Sequence, residues 1–195
     1  MRNPVSTALV LLLLATCAMV YAQDPSVYTD AAYGVSFPYL ADFRPLDPAK
    51  DTHYLLPAIQ PVRAVLVLAD PTPYPGTDFA SLSFNYIISS DKTAAACRTA
   101  INPYGDAAPA PSVTVNGLRF DAVNAGDAAT GHQITERLYS TFANNRCYVF
   151  DLELVTAGFG AADDQDIRQM YQSERDDAQQ KLDAIFGTVR IAKLK

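Results

Sequence analysis

Three stretches of this chain alternate apolar and polar residues, and that alternation confines it to an antiparallel sheet. Phe79 to Ser89 puts Leu82, Phe84, Tyr86 and Ile88 on one side and Ser81, Ser83 and Asn85 on the other. Gln133 to Phe142 aligns Ile134, Leu138 and Phe142, and Cys147 to Val155 aligns Tyr148, Phe150, Leu152 and Leu154 with Asp151 and Glu153 opposite. Successive side chains of a strand point to opposite faces, so each run reads as a strand with one face toward a core and the other toward solvent. Asn116-Gly117 and Asn144-Asn145 supply the hairpin turns, because these residues tolerate the positive φ that a tight turn needs. Val113 to Val115 leads into the first turn, and Leu118, Phe120 and Ala122 continue the alternation beyond it.

The remaining elements follow from other patterns. Val62 to Ala69 is apolar on both faces, as in a strand covered above and below. Val35 and Phe37 share one side of a short strand that Pro38 ends. Asp24 to Ala32 shows no period, and the prolines of 40–61 and 105–112 make those segments loops. A helix is expected from Lys92 to Ile101, capped by Asp91, with Cys97 on it. A second is expected from Asp164 to Phe186, where Ile167, Met170, Tyr171, Ala178, Leu182 and Ile185 recur at helical spacing. Asp163, Asp164 and Asp166 suit its N-terminal dipole, Asp177 and Lys181 form an i,i+4 pair, and Gly187 stops it. Val189 and Ile191 add a last edge strand. The expected fold is α+β, an antiparallel sheet of about six or seven strands packed with two helices as an α/β/α sandwich.

The first 22 residues read as a secretory signal peptide. Arg2 precedes an apolar core, Ala8 to Val20, and Val20-Tyr21-Ala22 places acceptable residues at the cleavage site. Cleavage between Ala22 and Gln23 leaves residues 23–195 as one secreted or periplasmic domain. Leu14-Ala15-Thr16-Cys17 has the outline of a lipobox, but Thr16 fits it poorly, so a lipid anchor at Cys17 is not expected. The mature chain offers no apolar run long enough to span a bilayer. A formal net charge of −6 disfavours nucleic acid, since phosphate contacts need clustered Lys and Arg. Cys97 and Cys147 remain as an even pair in an oxidising compartment and are expected to form one disulfide. Cys147 shares the strand face of Asp151 and Glu153, so the Cys97 helix should cover one end of that face and the C-terminal helix the other face.

Reactive chemistry is sparsely signalled. The two histidines, His53 and His132, lie in polar segments without metal-ligand spacing. No Gly-x-Ser-x-Gly turn or glycine-rich phosphate loop occurs. Asp121 to Asp127 lacks the distal Glu of a calcium loop, and the Asp163 to Asp166 run is explained by its helix start. No catalytic residue, cofactor or metal site is therefore expected. Glu136 stands apart, because it shares a strand face with Ile134 and Leu138; either solvent, Arg137 or a loop donor meets it, or it is a polar anchor in a ligand cleft. Tyr54, Tyr74 and Tyr104 lie in or beside proline-rich loops. Tyrosine is large, rigid and amphipathic, so these three form the expected partner-binding surface.

The stretch Tyr33-Gly34-Val35-Ser36-Phe37-Pro38-Tyr39, the Asn116-Gly117 hairpin with the two alternating strands after it, and a helix closing into Gly187-Thr188-Val189-Arg190-Ile191 resemble the PsbP-like family. That resemblance implies an α+β sandwich, a habit of binding other proteins and no shared active site. The expected function is a non-enzymatic accessory domain that binds another extracytoplasmic protein. The alternatives are a carrier of a small apolar ligand between sheet and proline-rich loops, and an enzyme. A deep apolar cavity would favour the carrier, and clustered groups with strongly shifted pKa values would favour the enzyme.

Overall fold

The computed structural model describes residues 25–47, 61–70, 73–102, 105–129, 131–157 and 167–194. The leader and its cleavage site lie outside these residues, as do His53, Tyr54, Tyr104 and the acidic run 163–166. In chain order the elements are β1 (Ser26–Asp30), β2 (Val35–Tyr39), β3 (Arg44–Leu46), β4 (Val62–Leu68), β5 (Phe79–Ser89), α1 (Ala94–Ala100), β6 (Ala108–Val115), β7 (Leu118–Ala129), β8 (His132–Ala143), β9 (Arg146–Ala157), α2 (Gln172–Phe186) and β10 (Arg190–Ile191).

Seven strands form one sheet in the order β3-β4-β5-β9-β8-β7-β6, and β1-β2-β10 form a second, three-stranded sheet. The four strands β6 to β9 are a meander whose last member returns beside β5, so β5 and β9 occupy the centre. Both turns read from the sequence are present, with positive φ at Asn116 and Gly117 and at Asn144 and Asn145.

One face of the large sheet carries the main core. Phe84, Tyr86, Phe120, Phe150 and Leu152 meet Leu182, Ile185 and Phe186 of α2 and Val35 and Phe37 of β2. Rings interleave throughout this layer: Phe150 and Phe186 lie 5.7 Å apart, Tyr139 stacks on Phe186 at 4.1 Å, and Phe37 meets Phe84 at 5.0 Å. Such contacts add about 0.5–1.5 kcal/mol per pair beyond area burial. The opposite face carries α1, whose Cys97 and Ile101 pack on Ile87, Leu138, Cys147 and Val149. There Cys97 is bonded to Cys147 with Cα atoms 5.3 Å apart. The disulfide and the division of helices between the two faces agree with the sequence reading.

Several expectations change in detail. Residues 26–30 form β1 despite lacking a period, because pairing with β2 across the Gly34 turn fixes them; Gly34 takes φ +70, and a Cβ there would meet Ala192 O at 3.0 Å. The proline segment read as loop before Val113 is strand from Ala108. It is the sheet edge, with an irregularity between Ala110 and Val113, where Pro109 and Pro111 are tolerated. Residues 121–127 lie within β7 and form no loop. The α1 cap is Thr93, whose Oγ1 accepts from Ala96 N at 3.1 Å, while Asp91 instead accepts from the Ser89 hydroxyl. Helix α2 begins at Gln172, so the acidic run is not its first turn; Glu174 is the first-turn acid. Gly187 caps α2 in right-handed geometry at φ −59, its N–H bonded to Asp183 O, so it is not a left-handed C′ residue. The Asp177–Lys181 pair forms at 3.1 Å.

Candidate functional site

Strand register on the α1 face of the large sheet assembles a polar centre that no single segment reveals. Ser83 on β5 is paired with Glu153 on β9, which is paired with Glu136 on β8. One step along, Asn85 is paired with Asp151, which is paired with Leu138. Partners across adjacent strands place their Cβ atoms about 5 Å apart, so the pairing itself sets two glutamates side by side. Valines 65 and 67 of β4 border this centre on one side, and Val123 and Ala125 of β7 border it on the other.

The centre is enclosed. Asp151 is 0% exposed and Glu153 4%, while Ser83 and Asn85 are also buried. Glu136 is only partly buried and is the member nearest solvent. Glu136, Asp151 and Glu153 each bring a carboxylate oxygen to within 4.8 Å of the others. Neutral donors hold two of them in place. Ser83 Oγ donates to Glu153 Oε2 at 2.6 Å, and Asn85 Nδ2 donates to Asp151 Oδ2 at 3.3 Å. Asp151 Oδ1 is buried and meets no N–H or hydroxyl donor among the described residues, while the Asp151 and Glu153 carboxyls are hydrogen-bonded to each other.

No basic residue among the described ones balances this charge. Burial, then the Glu153 charge, pushes Glu136 up to about 7, with Asp127 and Asp106 adding to the effect. Burial, then Glu153, raises the Asp151 carboxyl well above the usual range, and burial raises Glu153 as well. The Arg137 partner that the sequence allowed for Glu136 is not there. Arg137 is next to Glu136 in a strand and so projects from the opposite face, where Nη1 donates to Asp183 Oδ2 at 2.9 Å. The trio has two chemical resolutions: it retains protons on its carboxyls, or it accepts a cation ligated wholly by oxygen.

The expected tyrosine surface fares differently. Tyr54 and Tyr104 lie outside the described residues. Tyr74 is 3% exposed, with its ring 4.9 Å from Phe79 and its hydroxyl donating to Asp177 Oδ2 at 2.7 Å. Its position in a proline loop suggested exposure, but the loop folds inward onto α2. Tyr74 is a core residue, and burial with the Asp177 bond raises its phenol pKa. His132 is exposed at the start of β8.

The sequence pattern put Ile167 and Tyr171 on the apolar stripe of the C-terminal helix; they lie instead before Gln172, where α2 begins, as part of a surface group. Ile167 and Tyr171 are 43% and 63% exposed. The Arg168 guanidinium lies 4.1 Å from the Tyr171 ring centroid and donates to both Glu174 carboxylate oxygens, at 2.8 and 2.7 Å. Arg168 and the Tyr171 N–H hold the Glu174 carboxyl down to about 2. Asp78 anchors this segment to the sheet, its N–H donating to Arg168 O and its Oδ1 accepting from Met170 N, both at 2.8 Å.

No protein-family model and no curated protein matches the sequence. Similar solved structures include the following three. Cyanobacterial PsbP (CyanoP) from Synechocystis sp. PCC 6803 is 16% identical, over 92% of this chain and 99% of that one, with a TM-score of 0.49. LpqN, involved in cell envelope biogenesis of Mycobacterium tuberculosis, is 11% identical, over 88% of this chain and 87% of that one, with a TM-score of 0.48. A protein from Bacteroides thetaiotaomicron VPI-5482 is 9% identical, over 87% of this chain, with a TM-score of 0.46; the match spans 49% of that longer protein.

Proposed function

We propose that the mature chain, residues 23–195, is a secreted or periplasmic accessory domain that binds another extracytoplasmic protein and catalyses no reaction. The Cys97–Cys147 bond supports the compartment, because disulfides persist where the surroundings are oxidising. The exposed Ile167–Arg168–Tyr171 group carries the binding half of this reading. Tyr and Arg are enriched at protein interfaces, and the Glu174 clamp on Arg168 holds the group in one arrangement before any partner arrives. Less side-chain freedom is then lost on docking. This group replaces Tyr74 as the contact surface.

The strongly shifted carboxyls raise the enzyme alternative, and their enclosure weighs against it. Asp151 and Glu153 have almost no exposed surface, so an organic substrate does not reach them without opening the sheet face. The carrier alternative requires an apolar space, whereas the α2 face of the sheet is filled by contacting rings such as Tyr86 with Phe150 and Phe120 with Phe186.

Capture from the native periplasm or culture medium tests the proposal, with the tagged mature domain compared to an Ile167→Asp/Tyr171→Ala double variant. The expected result is one protein retained by the wild type and lost by the variant, with the melting temperature changed by no more than about 1 °C, as for exposed sites. Identical capture by both proteins would remove this surface from consideration. Turnover abolished by a change at Glu136 or His132 would overturn the non-enzymatic reading.

A further inference from the structure

We infer that Glu136, Asp151 and Glu153 form a binding site for a hard divalent cation of calcium's class. Two independent observations point there. Three carboxylates converge on one small volume that contains no basic side chain among the described residues. Within it, fully enclosed Asp151 presents an oxygen, Oδ1, that no N–H or hydroxyl donor of the described residues reaches, its carboxyl being bonded otherwise only by Asn85 and by the neighbouring Glu153 carboxyl. A buried acceptor without a donor costs about 1–3 kcal/mol, more when charged, so the fold retains this arrangement against a penalty that an ion would relieve.

The donor set selects the ion class. All ligands are oxygen, from carboxylates with a hydroxyl and an amide behind them, which suits calcium or manganese and not a metal that seeks thiolate or imidazole. Oxygens within 4.8 Å of one another are close enough to share one ion at metal–oxygen distances of about 2.4 Å. The three ligands come from the adjacent central strands β8 and β9, so backbone hydrogen bonding fixes their spacing. Ser83 and Asn85 on β5 orient two of them from behind, as outer partners do in metal sites. Glu136, at the solvent side, provides access, and water supplies the remaining oxygens of the shell. The other charged groups acting on the site are Asp127 on β7 and Asp106 before β6, both acidic, and they favour a cation further.

Ion binding displaces protons from these carboxyls, so affinity falls with acidity. The decisive experiment is calorimetric titration of the full mature protein with calcium chloride, then manganese chloride, at pH 8 and pH 5, after treatment with chelator. The expected result is one ion per chain at pH 8, a melting temperature that rises with ion concentration, and affinity roughly tenfold or more weaker at pH 5. Glu136→Gln, at a partly exposed position, should fold and weaken binding roughly tenfold or more. Asp151→Asn should abolish it; if that variant does not fold, Glu136→Gln alone decides. No binding of either ion up to about 10 mM, beyond the range of weak extracellular calcium modules, would overturn the site. Wild-type affinity in Glu136→Gln would overturn it equally, since the ion then sits elsewhere. Partner capture through Ile167 and Tyr171 is a separate readout and stands or falls independently.

Discussion

Replacing Glu136 with Gln should stabilise the ion-free protein at pH 8 and leave it nearly unchanged at pH 5. The carboxyl is moved from 4.5 up to about 7 by burial and by facing Glu153. Because the folded-state value is raised, the stability it contributes is fully present below the unfolded value. That stability is lost as pH rises through about 7. A shift of this size corresponds to at most about 3 kcal/mol, and solvent at a partly exposed carboxyl reduces it to roughly 1–2 kcal/mol. Glutamine mimics the neutral acid in shape, so the variant avoids this loss. For a domain of this size the gain is about 3–6 °C in melting temperature at pH 8. The groups with lowered values act in another window: Glu174, held at about 2, and Asp177 contribute above their unfolded values and lose that contribution only in stronger acid. Urea unfolding of both proteins with chelator present, at pH 5 and pH 8, measures the difference. Wild-type stability that rises from pH 5 to pH 8, or a variant less stable than wild type at pH 8, would refute the electrostatic argument.

Two further outcomes follow from the packing. Converting Cys97 and Cys147 together to Ala should cost about 4 kcal/mol in the chain-entropy model for a separation of 50 residues, and non-reducing peptide mapping of the wild type should recover the linked pair. Tyr74→Phe should cost about 1–2 kcal/mol by removing the hydroxyl bond to Asp177, whereas Tyr74→Ala should cost about 3–5 kcal/mol by opening a cavity beside Phe79; thermal unfolding distinguishes this core role from an exposed contact, for which both changes would be near zero.

The alternation of β5, β8 and β9 made the sheet legible in the sequence, and the two Asn turns made its meander legible. The cysteine pair went further, since Cys147 lies on the face of Asp151 and Glu153 and therefore puts α1 over that face. What was missed is that the polar residues further along that face are buried as well. Polar residues opposite an apolar row were read as solvated, yet Ser83, Asn85, Asp151 and Glu153 are buried. Alternation reports which residues share a face, not whether the second face is covered. The meeting of Glu136 with Glu153 depends on register between strands, which period alone does not set. Glu136 was the one member visible in advance, because its strand neighbours Ile134 and Leu138 are apolar. Tyr74 was misplaced for the converse reason: proline marks a turn, but says nothing of which way the turn's side chains face.

The most direct test of the acidic centre is a carboxyl-carbon NMR titration of Glu136 in the mature protein, first with chelator and then with saturating calcium. The account predicts a midpoint near 7 without the ion, and a midpoint shifted to lower pH with it, as the cation replaces the proton. A midpoint at the ordinary value of 4.5 without the ion, unmoved by calcium, would contradict it.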